Sequence, residues 1–271
     1  MIAKSLAKYA LLYGLALLWL VPTLWMTSTA FKPQEEVLSF TPRWIPSQLT
    51  LAHVRHVLTG LNFLTWFANS VVIATGATLV TLVTSTLAAY SLGRLRWRGR
   101  NVLFVLFVAS IFIPWEINAI PLFFIAKDLN LLSTYPGVFL PISAMPISLF
   151  LLRQFFVSIP RELEDAARID GCGYLRSLLY IIIPVSGPAF GALGIFVFIF
   201  SWNEFFWSFI SLQKSQMLTI PIGMKTIAHA DDIRYTTLMA LSFLASLPAL
   251  LVFLALRRHV IAGVSMSGVR R

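Results

Sequence analysis

The chain has 271 residues, of which 58% are hydrophobic and only 12% charged, with a formal net charge of +10 at pH 7. Soluble domains carry roughly a quarter charged residues, so an ordinary soluble domain is excluded. A single cysteine, Cys172, excludes an internal disulfide and a thiolate metal cluster.

A nucleic-acid binder gathers its basic residues on a solvated face. Here they punctuate apolar runs, which argues for a lipid membrane and against nucleic acid. A bilayer-spanning helix needs about 20 mostly apolar residues. Six runs qualify, at about 9–30, 66–92, 102–126, 137–156, 184–210 and 236–256. The sequence therefore predicts an all-α membrane protein, one domain over residues 1–271 with six transmembrane helices.

Lys4 and Lys8 before the first run are reminiscent of a signal peptide, but the apolar stretch is longer than such a core and "TSTAFK" is a poor cleavage site. It reads as a retained span. Residues 31–65 follow, with three prolines and then an apolar, helical-looking piece that suits the membrane interface. His53 and His56 flank Arg55 there, but the pair lacks the ligand count of a metal site. The second run carries Ala68, Ser70, Ala74, Gly76, Ala77, Ser85, Ala88 and Ala89, and the fifth opens with Gly187, Gly191 and Gly194. Small residues let helix backbones approach closely in lipid, so these are packing faces or walls of a pathway.

Glu116 and Glu204 are the carboxylates inside predicted spans, where an ionisable group is costly and faces a cavity or a partner. With Asn118, Trp202 and Asn203 they form a candidate solute pathway. Snorkelling to headgroups is the competing reading, and Trp202 is equally an interface anchor. The loop before the last run holds His229, Asp231 and Asp232, again without the makings of a metal site.

An even number of spans puts both termini on one side. That side collects most of the 21 Lys and Arg: Lys4, Lys8, the arginines of "RLRWRGR", Arg153, Arg161, Arg168, Arg176 and the pairs at 257–258 and 270–271. Positive charge is held in the cytoplasm, so the termini are expected there.

On the same side, at about 158–183, lies the polar segment "ELEDAARIDG". Pro160 suits a first helical turn, Ser158 a cap, and Asp170-Gly171 an end, giving about three turns. Leu163, Ala166, Ala167 and Asp170 share one side by three-and-four spacing. Arg161, Glu162, Glu164, Asp165 and Arg168 then rim a small, weakly apolar face. It reads as a solvated loop helix or as a plug for a shallow socket on another protein.

From Asp165 the chain runs "DAARIDG", nine residues, then "IIIP" to Pro184. This resembles the signature loop of binding-protein-dependent ABC importer permeases: E-A-A, three residues, G, nine residues, I, one residue, L-P. The matching positions are Ala166, Ala167, Gly171, Ile181 and Pro184; Asp165 replaces Glu and Ile183 replaces Leu. "FANSVVIATGATLVTLVTSTLAAYSLGRLRWRGRN", "IPLFFIAKDLNLLSTYPG", "FSWNEFFWSFI" and "LRRHVIAGVSMSGVRR" are similar to the second permease of carbohydrate-type systems, such as those for maltose and glycerol phosphate. The tail departs through Ser265, Met266 and Ser267.

The resemblance implies a type I ABC importer transmembrane domain whose loop helix is a coupling helix. Leu163, Glu164, Asp165, Ala166, Ala167, Asp170 and Gly171 would then serve ATPase coupling. It also implies a homologous second permease, two ATP-binding subunits and an extracytoplasmic solute-binding protein, in a prokaryotic inner membrane. No G-x-x-x-x-G-K-[ST] loop occurs, so ATP and its magnesium would sit on the ATPase partner. The chain itself would perform no catalysis and bind neither cofactor nor metal. A permease for glycerol phosphate or polyamine, and a secondary transporter acting alone, are the alternatives; the latter calls for broken spans in matching halves around a midplane ion site.

Overall fold

The computed structural model describes residues 2–37, 41, 43–228 and 234–267. Among these there is no strand. The helices in chain order are α1 (Ile2–Ala30), α2 (Gln34–Val37), α3 (Ala52–Gly60), α4 (Phe63–Gly93), α5 (Arg100–Ala109), α6 (Ala119–Asp128), α7 (Tyr135–Ser143) and α8 (Pro146–Ser158). They continue as α9 (Glu162–Ile169), α10 (Tyr174–Ser177), α11 (Ile183–Val185), α12 (Gly187–Trp202), α13 (Phe206–Ser211), α14 (Ile220–Ala228) and α15 (Tyr235–Ser267). His229, Asp231 and Asp232 lie outside the described residues.

Three stretches are long and apolar enough to cross a membrane as single helices: Lys8–Ala30, Phe63–Gly93 and Tyr235–Arg257. The other three predicted spans, at about 102–126, 137–156 and 184–210, fall on helix pairs that are bent, each of which is long and apolar enough to cross as one broken span. The bends are 96° between Arg100–Phe112 and Trp115–Asp128, 50° between Tyr135–Ser143 and Pro146–Ser158, and 79° between Tyr174–Val185 and Gly187–Trp202. Proline supplies the reason at two of them. It lacks an N–H and disfavours α geometry in the residue before it. Ile113 before Pro114 is extended (φ −88°, ψ 115°), and so is Met145 before Pro146 (φ −101°, ψ 101°).

The residues group into two compact units. The first comprises Met1–Phe67 and Ile220–Pro248. Here Lys32 is buried beyond the end of α1, donates to the Arg43 carbonyl, and lies 4.1 Å from the centre of the Trp25 ring. Trp25 meets Trp44 edge-on at 5.0 Å, and Phe31 meets Phe243 at 5.4 Å. The interfacial piece expected near residue 55 is α3. It is fastened where Thr236 bonds Gln34 Oε1 and approaches His53 Nδ1 at 3.1 Å. Gly223 on α14 accommodates Trp66, since a Cβ there would fall 2.3 Å from the indole.

Burial pushes the His53 imidazole below its ordinary value; a bond to the Lys32 main chain works the other way, and Arg234 and His56 add to the lowering. The folded state thus favours neutral His53, while the unfolded chain titrates at about pH 6.5. Its stabilisation is complete above that pH and is lost as pH falls through the lower folded value. The thermal midpoint of the wild type should therefore drop between about pH 7 and pH 5, and His53→Gln should flatten that drop. Parallel pH profiles of the two proteins would reject this.

The second unit comprises Ala68–Thr219 and Ala249–Arg271. Its core joins the end of α4 (Ala89, Tyr90, Leu92), α8 (Leu149, Leu152, Phe156), the turn carrying Leu178 and Ile182, and α12 (Leu193, Val197). In lipid such contacts stabilise by close packing rather than by removal from water. The small-residue face of α4 works that way: Ala74, Ala77 and Ala89 are fully buried, and a Cβ on Gly76 would sit 2.8 Å from the Phe139 ring. On α12, Gly187 meets nothing within 4 Å and Gly194 reaches only Leu82, at 3.9 Å. Asn69 ties α4 to distant chain by donating to the Gln216 and Leu218 carbonyls, both at 2.9 Å, and accepting from Tyr135 Oη at 2.8 Å.

Candidate functional site

The polar helix α9 is shorter than its sequence suggests and begins later. Ser158 does not cap it: Ser158 Oγ donates to Phe155 O at 2.7 Å within α8. Pro160 lies before the helix rather than in its first turn, holding Ile159 extended (φ −71°, ψ 131°). Arg161 is the N-cap and offers no side-chain bond. The eight residues make about two turns. The predicted stop is present, with Gly171 in the left-handed region at φ 79°. Gly171 N–H donates to Arg168 O at 3.0 Å and Cys172 N–H to Ala167 O at 2.8 Å, the paired bonds of a Schellman closure. The chain then turns into α10.

Two residues of α9 face inward, Glu164 and Ala167. Leu163, Asp165, Ala166 and Asp170 face out, so the side expected to unite Leu163, Ala166, Ala167 and Asp170 is split. Glu164 also departs from its expected place on a charged rim, because it is only 5% exposed and bonded within the unit. Its partner is Arg94, 4% exposed, one residue beyond the end of α4. Arg94 Nε donates to Glu164 Oε2 at 2.5 Å, and Tyr90 Oη donates to Oε1 at 3.1 Å. Ser177 Oγ completes the set at 3.5 Å.

The same guanidinium donates to the carbonyls of Phe156 at 3.2 Å, Ile159 at 2.8 Å and Pro160 at 3.4 Å. Phe156 O lies in the last turn of α8 and also accepts the Ile159 N–H at 3.2 Å, while Ile159 and Pro160 follow the helix end. One arginine thus pins the end of α4, the exit of α8 and the inner face of α9 together. A buried pair of this kind is tolerated because every polar atom is hydrogen-bonded. Tyr90 and Arg94 are four residues apart, one turn along a face. That spacing was available in the sequence as a signal, masked by the topological reading of "RLRWRGR". Ile169, 88% exposed beside Leu163 at 44%, is the other residue that sequence reasoning missed; as an apolar side chain turned outward it extends the surface α9 offers.

The second site is a cleft of about 330 Å³ in the same unit, lined by Trp115, Glu116, Met145, Phe200 and Glu204 among others. The structure brings Glu116 and Glu204 to it but not the other three expected residues. Asn118 is exposed outside the lining, Trp202 is buried and stacked on Phe198 at 5.8 Å, and Asn203, just past α12, donates back to Ile199 O at 2.8 Å. Glu204 is 8% exposed, and its carboxylate is bonded to its own chain. It accepts from the N–H groups of Trp207 at 2.7 Å and Ser208 at 3.0 Å, and from Ser208 Oγ at 2.6 Å. These bonds hold the start of α13, and α13 seats fully buried Trp207, whose Nε1 donates to Gly137 O at 3.0 Å. No group of three or more His, Cys, Asp or Glu suited to a metal ion occurs among the described residues.

Residues 82–266 match the family model described as binding-protein-dependent transport system inner membrane component. The chain belongs to this family. It is a multi-pass membrane permease subunit of the bacterial ABC transporter class, and the matched residues include α9 and the Arg94–Glu164 pair. Among curated relatives, the arabinooligosaccharides transport system permease protein AraQ of Halalkalibacterium halodurans is 35% identical over 94% of this chain and 93% of its own length. The diacetylchitobiose uptake system permease protein DasC of Streptomyces coelicolor is 28% identical over 92% and 91%. A chain from the crystal structure of a bacterial ABC transporter involved in import of the acidic polysaccharide alginate aligns with a TM-score of 0.84 at 23% identity, covering 94% of this chain and 96% of that one. That likeness establishes the fold.

In this permease Glu204 has a structural task that can be separated from a solute task. Glu204→Gln puts an amide N–H₂ where donors already point, so the thermal midpoint should fall by the equivalent of about 1 kcal/mol, with uptake falling in step. Lost uptake at an unchanged midpoint would instead make the carboxylate charge part of the solute pathway.

Proposed function

We propose that the permease forms half of the translocation pathway of an ATP-driven importer of sugars or sugar-like solutes, and that α9 is its coupling helix. The observation that carries this is the Arg94–Glu164 pair. A helix that must move membrane spans has to be rigidly attached to them, and here the inner face of α9 is bonded to Arg94, the residue just beyond the end of α4. Its outer face leaves Leu163, Ala166, Ile169 and Asp170 to seat in a socket on an ATPase, with Gly171 making the sharp exit. ATP-driven closure of two such ATPases would push on α9 and switch the pathway from inward-open to outward-open.

The names of the relatives, which specify oligosaccharides, support the sugar class. The cleft that combines Trp115 and Phe200 with Glu116 and Glu204 suits it too, since aromatic faces and carboxylate acceptors match the two sides of a sugar ring. The remaining partners would be a homologous second permease and an external solute-binding protein, with both termini in the cytoplasm. ATP and magnesium would be held by the ATPase.

The direct test is to tag the chain, solubilise it gently from its native membrane and identify what co-purifies in stoichiometric amount. A phosphate-loop ATPase and a second permease are expected. Recovery of the chain alone, still transporting in vesicles without ATP, would overturn the proposal.

A further inference from the structure

Beside α9 lies a cup of about 230 Å³ lined by Arg94, Arg96, Arg161, Asp165, Arg168 and Tyr174. Its charges do not balance. Arg94 is neutralised by Glu164, and Arg168 by Asp165 at 3.6 Å. Arg96 and Arg161 have no salt bridge or side-chain hydrogen bond among the described residues, which leaves two uncompensated arginines lining one small space. Planar guanidinium forks match phosphate oxygens better than a point charge does.

The cup also sits at a definite level. It opens where α4 ends at Gly93 and α8 ends at Ser158, so it lies at the end of two membrane-spanning segments. Trp97 is exposed next to Arg96, with Nε1 donating to Ser91 O at 3.1 Å, and Tyr174 is exposed on the cup wall. Tryptophan and tyrosine concentrate at headgroup depth. Leu175 and Tyr180, beyond Tyr174, expose further apolar surface of the sort that lies along acyl chains. Basic pockets at the ends of membrane helices take anionic lipid headgroups.

We propose that this arginine cup binds the phosphate of an anionic phospholipid, with Arg96 and Arg161 as its principal contacts. A lipid held there would brace the root of α9 against the bilayer. The proposal stands apart from the coupling assignment, because it requires only that the spans cross a membrane.

The test uses the full chain with whatever subunits co-purify, in an equal mixture of phosphatidylglycerol and phosphatidylcholine, followed by native mass spectrometry of the retained lipid. Wild type should retain phosphatidylglycerol in preference to phosphatidylcholine. Arg96→Gln/Arg161→Gln should retain it about thirtyfold more weakly, the loss expected for two interfacial arginines. Arg98→Gln, on the same segment but outside the cup, should behave as wild type.

No lipid preference in the wild type overturns the proposal even if the double variant is poorly made, and an equal loss on Arg98→Gln reduces it to diffuse charge. Inorganic phosphate filling the cup without competition from phosphatidylglycerol would make it a free-anion site. Unchanged lipid retention with loss of a co-purifying ATPase from the double variant would hand the arginines to that partner. Either result overturns the lipid assignment.

Discussion

Arg94→Met should lower stability by about 3–5 kcal/mol, the cost of stranding a buried charge without its partner. The substitution keeps most of the volume but leaves the Glu164 carboxylate to Tyr90 and Ser177, and removes the guanidinium bonds to the Phe156, Ile159 and Pro160 carbonyls. A lower thermal midpoint of the solubilised protein would register it, together with loss of uptake. Glu164→Gln should be milder, because the amide still accepts from Arg94 and the guanidinium keeps its carbonyls. A double variant, Arg94→Met/Glu164→Leu, should recover part of the lost stability, since it removes the stranded charge; with Arg94→Met and Glu164→Leu as the single variants, the cycle measures the coupling of the pair. A small effect of Arg94→Met would mean that water reaches Glu164. The pair would then be no rigid joint between α4 and α9.

Ala167→Trp is expected to abolish uptake while the chain remains in the membrane. The structure supplies a reason different from simple bulk at a docking face: Ala167 points inward with Glu164, so an indole there must lever α9 off the unit. Overpacking of a close-fitted site costs about 1–3 kcal/mol, enough to misplace a two-turn helix. Gly171→Asp should be the weaker of the two. Nothing lies within 4 Å of a Cβ at that position, so the variant meets only the strain of a left-handed backbone at φ 79°. That strain costs roughly 1–2 kcal/mol, less for aspartate than for most residues. Uptake and ATP hydrolysis measured on the reconstituted complex separate the outcomes. Hydrolysis that continues without uptake in Ala167→Trp is the expected signature, and normal uptake would remove α9 from the coupling role.

Much of this molecule is legible in its residues because lipid imposes strong local rules. Apolar length announced the runs at 9–30, 66–92 and 236–256, where α1, α4 and α15 are single helices long and apolar enough to cross, and glycine at 171 announced the end of α9. The breaks at Pro114 and Pro146 were equally local, yet they were hidden inside runs that remain apolar across the bend. Hydropathy does not register a change of direction.

The candidate site divides along the same line. That a polar helix follows Pro160 and closes at Gly171 depends on backbone preferences a few residues long. Which of its charges points inward does not: Glu164 and Asp165 are adjacent acids on one short helix, and only Glu164 meets Arg94, some seventy positions earlier in the chain. Glu204 repeats the lesson, since an acid in an apolar run signals a partner without naming it, and the partner proved to be its own neighbouring amides. Residue type and spacing determine that a buried charge must be compensated. Only the packing of distant segments decides what compensates it, because that depends on which groups the folded chain brings within about 3 Å.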